Sequence, residues 1–397
     1  MCADKKVPDI RFKGFSEEWD CLILGENANF TKGQGYSKGD LVTNGVPIIL
    51  YGRLYTRYQT VITAVDTFVT EKDKSVKSIG GEVIVPASGE SPEDISRASV
   101  VSEPNIILGG DLNIVLPNKK VNPTFLALAM SMGRLKKILS SKAQGKSVVH
   151  IRNSDLADLD IILPSEKPEQ TTIGNYFQKL DNLINQHQQK HDKLSNIKKA
   201  MLEKMFPKPG KTVPEIRFKG FSSVWKEKII YELFTVTRGN VLPTTKTSPL
   251  PTADKCYPVY SSQTKNNGLM GFYDEYLFKD AITWTTDGAN AGTVNFREGK
   301  FYSTNVNGVL LSDKGYANKA IAEILNKEAW RHVSHVGNPK LMNNVMSAIK
   351  IVIPTSIKEQ TAIGNYFQKL DTLIEQHQQQ ITKLNHIKQA CLSKMFI

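Results

Sequence analysis

Two stretches of the chain place apolar residues at alternating steps of four and three. In the second stretch Ile363, Phe367, Leu370, Ile374, His377, Ile381 and Leu384 follow this rhythm, and in the first Ile173, Phe177, Leu180, Ile184, His187, His191 and Leu194 repeat it. A mean spacing of 3.5 residues keeps one narrow stripe of a helix turned toward a partner, so both stretches predict coiled-coil helices with these residues as the seam. Past Leu194 and Leu384 the pattern slips by one residue to Ile197 and Ile387, which predicts local overwinding. Pro168 and Glu169 suit a first helical turn, and Ser356 with Glu359 has the spacing of a capping box. Pro207-Lys208-Pro209-Gly210 breaks the first helix and opens a linker. Helices of about 36 residues, rising 1.5 Å per residue, are rods of roughly 54 Å.

Neither rod can bury its seam alone, and each is the obvious partner of the other. Parallel pairing would force the chain between them to return along a full rod. Antiparallel pairing avoids this, and is expected to put a domain at each end with pseudo-two-fold symmetry and to bring His187 toward His377. Seam histidines can form a metal site, a pH switch or a polar layer that fixes register; the last is the reading adopted.

The chain is also written twice. Residues 7–19, with Val7-Pro8-Asp9-Ile10-Arg11-Phe12-Lys13-Gly14-Phe15 at their start and Trp19 at their end, recur at 213–225 with 10 of 13 positions identical and an offset of 206. The likeness continues faintly to Thr31-Lys32-Gly33 and Thr237-Arg238-Gly239 and then fades. Residues 169–206 recur at 359–396 with 27 of 38 identical, now at an offset of 190, so the first intervening region is 16 residues longer. Similar frames thus enclose dissimilar contents. This is the expected pattern where the helices share one task and the domains recognise different things.

Within the enclosed regions the periodicity is mixed. Residues 81–86 predict a strand, and Asn122-Pro123 opens a helix carrying Phe125, Leu128, Met132, Leu135 and Leu139. Residues 281–285 and 292–296 predict a hairpin around the wide loop Asp287-Gly288-Ala289-Asn290-Ala291, followed by a helix from Asn318 through Ile321, Ile324 and Leu325. The fold class is α+β, with boundaries at 1–165 for the first domain, 166–206 for the central long helix, 207–212 for a linker, 213–354 for the second domain and 355–397 for the C-terminal long helix.

Composition changes the picture in one respect. With 40% hydrophobic and 8% aromatic residues, the chain can bury ordinary cores. No apolar run approaches the roughly 18 residues of a membrane span, and the first residues lack the apolar stretch of a secretory signal; a cytoplasmic protein is expected. Cys2, Cys21, Cys256 and Cys391 are scattered and read as reduced thiols. The formal charge of +12 favours a polyanionic partner, because cations that meet phosphates release counterions.

Candidate DNA contacts lie in the loops. The first domain offers Lys32, Gln34, Tyr36 and Lys38, then Arg53, Tyr55 and Arg57, then Lys142, Gln144 and Lys146; the second offers Ser262, Gln263, Lys265, Asn266 and Asn267, with Asn290 and Lys340. Arg and Lys can address guanine edges, Asn and Gln adenine edges, and all of them phosphates. Gly145-Lys146-Ser147 is not a phosphate loop, since Ser140 stands where a second glycine is required. No methyltransferase motif, Gly-rich cofactor loop, nuclease carboxylate cluster or metal-ligand set is found; His332 and His335 read as surface or core histidines.

Taken together, these residues resemble a known family. Two variable domains, each followed by a Pro-x-x-x-x-Glu-Gln-x-x-Ile helix start at Pro164 to Ile173 and Pro354 to Ile363, look like the specificity subunit of Type I restriction-modification systems. Asp287-Gly288-Ala289-Asn290-Ala291-Gly292 and Gly337-Asn338-Pro339-Lys340 look like that family's second-domain stretches. The resemblance implies two target-recognition domains, each reading half of a bipartite, non-palindromic site in double-stranded DNA, and an antiparallel coiled coil that sets the spacer. It further implies two modification subunits that hold S-adenosylmethionine, restriction subunits that use ATP and Mg, and no catalytic residue, cofactor or metal on this chain. The alternatives are a self-contained DNA methyltransferase or nuclease, and a protein-only coiled-coil scaffold.

Overall fold

The computed structural model describes residues 6–145, 148–262 and 265–397. Two compact units emerge: residues up to 188 together with 378–397, and residues 189–377. Each unit therefore takes one end of each long helix.

In the first unit a five-stranded sheet has the order Ala28–Lys32, Leu112–Pro117, Glu82–Pro86, Ser99–Val101, Val61–Ile62. Its neighbours are antiparallel except the last two, which run parallel. In the second unit a six-stranded sheet has the order Thr235–Arg238, Asn307–Leu311, Phe278–Thr285, Val294–Ser303, Tyr257–Tyr260, Leu269–Tyr273. There too the fourth and fifth strands are parallel and the first three pairings antiparallel. The two domains, whose sequences show little likeness, are thus built on the same strand order.

The repeated segments explain themselves once their contacts are traced. Trp19–Ile23 pairs antiparallel with Asp160–Pro164, and Lys226–Ile229 with Lys350–Ile353, so each domain is closed by a two-stranded clasp just before its long helix begins. The glutamate of each helix start is buried, with its side chain 1% exposed, and receives two hydrogen bonds from the arginine of the first repeated block. Arg11 donates to Glu169 at 2.6 and 2.7 Å, and Arg217 to Glu359 at 2.6 and 2.8 Å. These carboxylates raise the basicity of both arginines by hydrogen bonding. The following glutamine donates to the proline carbonyl six residues back, at 2.9 Å for Gln170 and 2.8 Å for Gln360. Its carbonyl accepts from Asn122 or Asn318, the residues that cap the domain helices Pro123–Ser131 and Lys319–Ala329. The Pro-x-x-x-x-Glu-Gln-x-x-Ile pattern is a polar lock between clasp, domain helix and rod, with Ile173 and Ile363 in the apolar cores.

The helices run Lys167–Lys204 and Ile357–Met395. In the first unit Ile173, Phe177 and Leu180 share a core with Leu384, Cys391, Leu392 and Met395; in the second, Ile363, Phe367 and Leu370 share one with Leu194, Ile197, Met201 and Met205. The start of one helix meets the end of the other, so pairing within each unit is antiparallel. Ile184 and Ile374 are half-buried, and Ile381 is buried. His187 and His377 are half-buried residues of the first and second unit respectively.

The register is marked by charges that the apolar pattern does not reveal. Lys388 pairs with Asp181, which also accepts from Thr60, while the equivalent Lys198 pairs with Asp371 at 2.6 Å. Lys319 joins the second pair, 2.7 Å from Asp371 and 2.9 Å from Glu323. Burial alone would raise the Asp371 carboxyl, but Lys319 and Lys198 hold it below its ordinary value. A depressed carboxyl contributes stability that is present above its unfolded pKa and lost as pH falls through the folded one. Asp371→Asn should therefore be less stable than wild type at pH 7, with the gap closing below about pH 4 in urea titrations.

Four expectations need correction. The slip to Ile387 is absent: that side chain is 36% exposed, and the 4-3 rhythm continues through Lys388, which is 17% exposed and pairs with Asp181. The expected Ser356–Glu359 capping box does not form, because the Glu359 carboxylate is engaged by Arg217 and by Trp225 Nε1 at 3.3 Å. The helix after Asn122 is two helices, Pro123–Ser131 and Gly133–Lys142; Met132 is extended and Gly133 takes φ +57°, which glycine adopts without steric cost. Cys256 and Cys391 are free thiols, but Cys21 is not, so the reading of reduced thiols fails at that position. Among the described residues no helix is long and apolar enough to cross a membrane.

Candidate nucleic-acid interface

The faint continuation of the first repeat ends at a glycine for a steric reason. A Cβ on Gly33 would sit 1.8 Å from the Gly109 carbonyl oxygen, and one on Gly239 would sit 2.1 Å from that of Ser303. Each glycine lets the chain leave its first sheet strand across a neighbouring backbone and enter a candidate loop.

In the first domain this loop is held by its backbone: Gly33 donates to Leu112, Gln34 to Leu108, and Gly110 to Gly35. Tyr36, at φ +56°, accepts from the Lys72 backbone and pairs with Ser75, with the Lys72 ammonium 4.8 Å from its ring centre. Lys32, Gln34 and Lys38 are left exposed on this braced platform. The second candidate set is tied down. Arg53 donates to Asp66 at 3.0 Å, Gln59 at 2.9 Å and the Ala64 carbonyl at 3.2 Å; Tyr55 donates to the Ser88 carbonyl, and burial pushes its hydroxyl up. Arg57 is exposed and paired with Asp66. Lys142 is half-buried at a helix end, and Gln144 is exposed with its backbone bonded to His150. Lys146 lies outside the described residues, as do Gln263 and the side chain of Lys265.

In the second domain the structure gathers several candidates. Ser262, Asn267 and Asn290 line one cavity of about 80 Å³, and none of the described residues in its wall has an apolar or acidic side chain. Asn266 and Asn267 are consecutive left-handed residues at φ +51° and +52°, a conformation that Asn tolerates better than most. The two stretches around Asn290 and Lys340 are joined to each other: Gly288 donates to the Pro339 carbonyl, Leu341 to that of Thr286, and Asp287 bridges Lys340. The Lys340 side chain is exposed.

The cavity also holds a residue that the sequence reading missed. Arg297, on Val294–Ser303, is 6% exposed. Its Nε donates to Thr283 Oγ1 at 3.2 Å and its Nη2 to the Asn267 carbonyl at 2.7 Å, and its guanidinium lies 3.8 Å from the Tyr260 ring centre. Burial pushes its pKa down to about 10, with Tyr260 offsetting part of the fall, and no carboxylate among the described residues contributes. The available signal was a lone cation within the alternating strand Val294-Asn295-Phe296-Arg297. Strand alternation puts Arg297 on the face of Asn295, but does not tell that this face is covered.

Comparison with known proteins gives the class. A family model described as the Type I restriction modification DNA specificity domain matches residues 16–196 and 222–386. A putative type I specificity subunit N-terminus of Mycoplasma pneumoniae is 41% identical over 99 residues, which are 24% of this chain and 52% of that protein. The MpnII type I restriction enzyme specificity subunit of the same organism is 38% identical over 118 residues, 28% of this chain and 36% of that one. The chain thus spans about half, or less, of these relatives' lengths. The crystal structure of a Type-I restriction-modification S subunit from M. genitalium superposes with a TM-score of 0.74 at 17% identity, covering 98% of this chain and 99% of that one. The chain belongs to the Type I restriction modification DNA specificity family.

Proposed function

We propose that this chain is the DNA sequence-recognition subunit of a Type I restriction-modification complex. Each domain reads one half of a bipartite, non-palindromic site, and the paired helices set the spacer and dock modification subunits. S-adenosylmethionine would then be held by the modification partner, and ATP and Mg by the restriction partner. The observation that carries this reading is the pairing of one strand order with two unlike sets of polar loops, each mounted on the same Arg–Glu–Gln lock. A shared scaffold with different loops is what reading two different half-sites requires, because specificity resides in the side chains that reach base edges.

Co-expression with the cognate modification subunit, followed by mapping of methylated adenines across a genome, tests the proposal; a split, asymmetric motif is expected. Inserting one heptad into both helices lengthens each by about 10.5 Å, and should change the unread gap while both half-site sequences persist. Altered half-sites with an unchanged gap would refute the spacer role. Methylation by this chain without any partner would refute the division of labour.

A further inference from the structure

Among the described residues, part-buried cations elsewhere face carboxylates: Arg11 faces Glu169, Arg217 faces Glu359, and Lys319 faces Asp371. Arg297 does not. Its guanidinium is buried against Tyr260, whose hydroxyl also bonds it, donates to the Thr283 hydroxyl and the Asn267 carbonyl, and opens onto a cavity walled by polar side chains. A buried charge without a counter-charge among the described residues is costly, so an anion is the ligand such a site favours. The chemistry of the wall narrows the choice. Ser262, Asn290 and Asn295 present hydroxyls and side-chain amides, all able to donate to an oxyanion. A nucleobase would need a stacking face, but no aromatic side chain among the described residues lines the cavity, and the Tyr260 ring beside it is already covered by the guanidinium. One buried water occupies about 10–15 Å³ on this scale, and small-molecule pockets run to about 300–1,000 Å³. A cavity of about 80 Å³ suits one small oxyanion rather than a nucleotide.

We infer that the Arg297 cavity takes a single phosphodiester group of the DNA backbone, fixing the second domain's register on the duplex without reading a base. The inference rests on the DNA-binding function proposed above. Phosphate contacts position a protein while base contacts specify, so the loops around Asn290 and Lys340 would be set against the groove by this grip.

The test uses the complex with its cognate modification subunit, the specific duplex, and duplexes altered at single base pairs of the second half-site. Arg297→Gln should weaken binding to all of them by a similar factor, about 10- to 100-fold for one lost charge-assisted contact. It should also reduce the slope of log affinity against log salt by about 0.9, whereas Arg297→Lys should keep the slope. A scan of neutral methylphosphonates along the DNA, which in wild type is independent of how any variant folds, should find one position that weakens wild type and costs Arg297→Gln nothing more. Relaxed discrimination at one base pair with an unchanged slope would make Arg297 a base reader and overturn the inference. Unchanged DNA affinity would make it a brace for Tyr260 and the Asn267 turn, with the same consequence. Saturable binding of inorganic phosphate alongside unchanged DNA affinity would assign the cavity to a free ion, again overturning the inference. In these three outcomes DNA recognition itself stands; a complex with no sequence preference at all would overturn the proposed function, and the inference with it.

Discussion

Replacing Arg11 with Met is expected to lower the unfolding midpoint of the first unit by roughly 6–20 °C, from a loss of about 3–5 kcal/mol. The loss comes from what remains. Glu169 is 1% exposed, and its two charge-assisted hydrogen bonds come from Arg11. Without them a buried carboxylate stands unpaired at the junction of clasp, domain helix and rod. The equivalent Trp19 Nε1 has no hydrogen-bond partner among the described residues, whereas in the second unit Trp225 Nε1 already donates to Glu359. Arg217→Met leaves that one donor in place, so its loss should be the smaller of the two. Exchanging both members of the first pair, Arg11→Met with Glu169→Leu, should recover most of the stability, since a buried pair is worth little against a well-packed apolar replacement. Calorimetric midpoints for the single and double variants decide the matter. A loss below about 1 kcal/mol for Arg11→Met would mean that Glu169 finds solvent or another donor.

Gly239→Ala should be comparably damaging, by about 3 kcal/mol or more, at the upper end of overpacking costs. The new methyl would lie 2.1 Å from the Ser303 carbonyl oxygen and 2.4 Å from the Ser303 carbonyl carbon and the Thr304 oxygen. All three are backbone atoms, so no rotamer change relieves the clash. Gly239 also donates to Asn307, and Asn240 donates to Ser303, so opening the gap breaks the ladder beside the cavity that Asn307 helps to line. The control is Gly52→Ala. Gly52 has φ −59°, and a methyl added there would meet no atom within 4 Å, so alanine should be neutral or stabilising by about 0.4–1 kcal/mol. Urea midpoints of the two variants give the comparison, and a Gly239→Ala protein as stable as wild type would show that the strand exit is not closely packed.

Legibility followed the range of the interactions. The seam at Ile173, Phe177 and Leu180, and its copy at Ile363, Phe367 and Leu370, was readable because helix periodicity is local. The caps Asn122 and Asn318 were readable for the same reason. Glu359 was misread as a capping residue because its spacing from Ser356 satisfies that motif, while its actual partner Arg217 lies 142 residues away. Lys388 looked like a break in the heptad because a lysine in a seam is explained only by the aspartate opposite it. The loop residues divided in a way that composition could not foresee: Arg53 and Tyr55 are engaged inside their domain, while Ser262, Asn267 and Asn290 converge on one cavity around an arginine that pattern alone left unremarked.

By itself the sequence determined that a unit of domain plus rod occurs twice, that the rods carry matching seams, and that the enclosed domains differ. These properties are carried by identity and by spacing within a few turns of chain. Only the tertiary structure decided that the differing domains share one strand order, that the repeated arginine and glutamate exist for each other, and that Arg297 is buried with no counter-charge among the described residues. The physical reason is that sheet order, ion pairing and burial depend on which distant segments meet, and no local periodicity encodes that meeting.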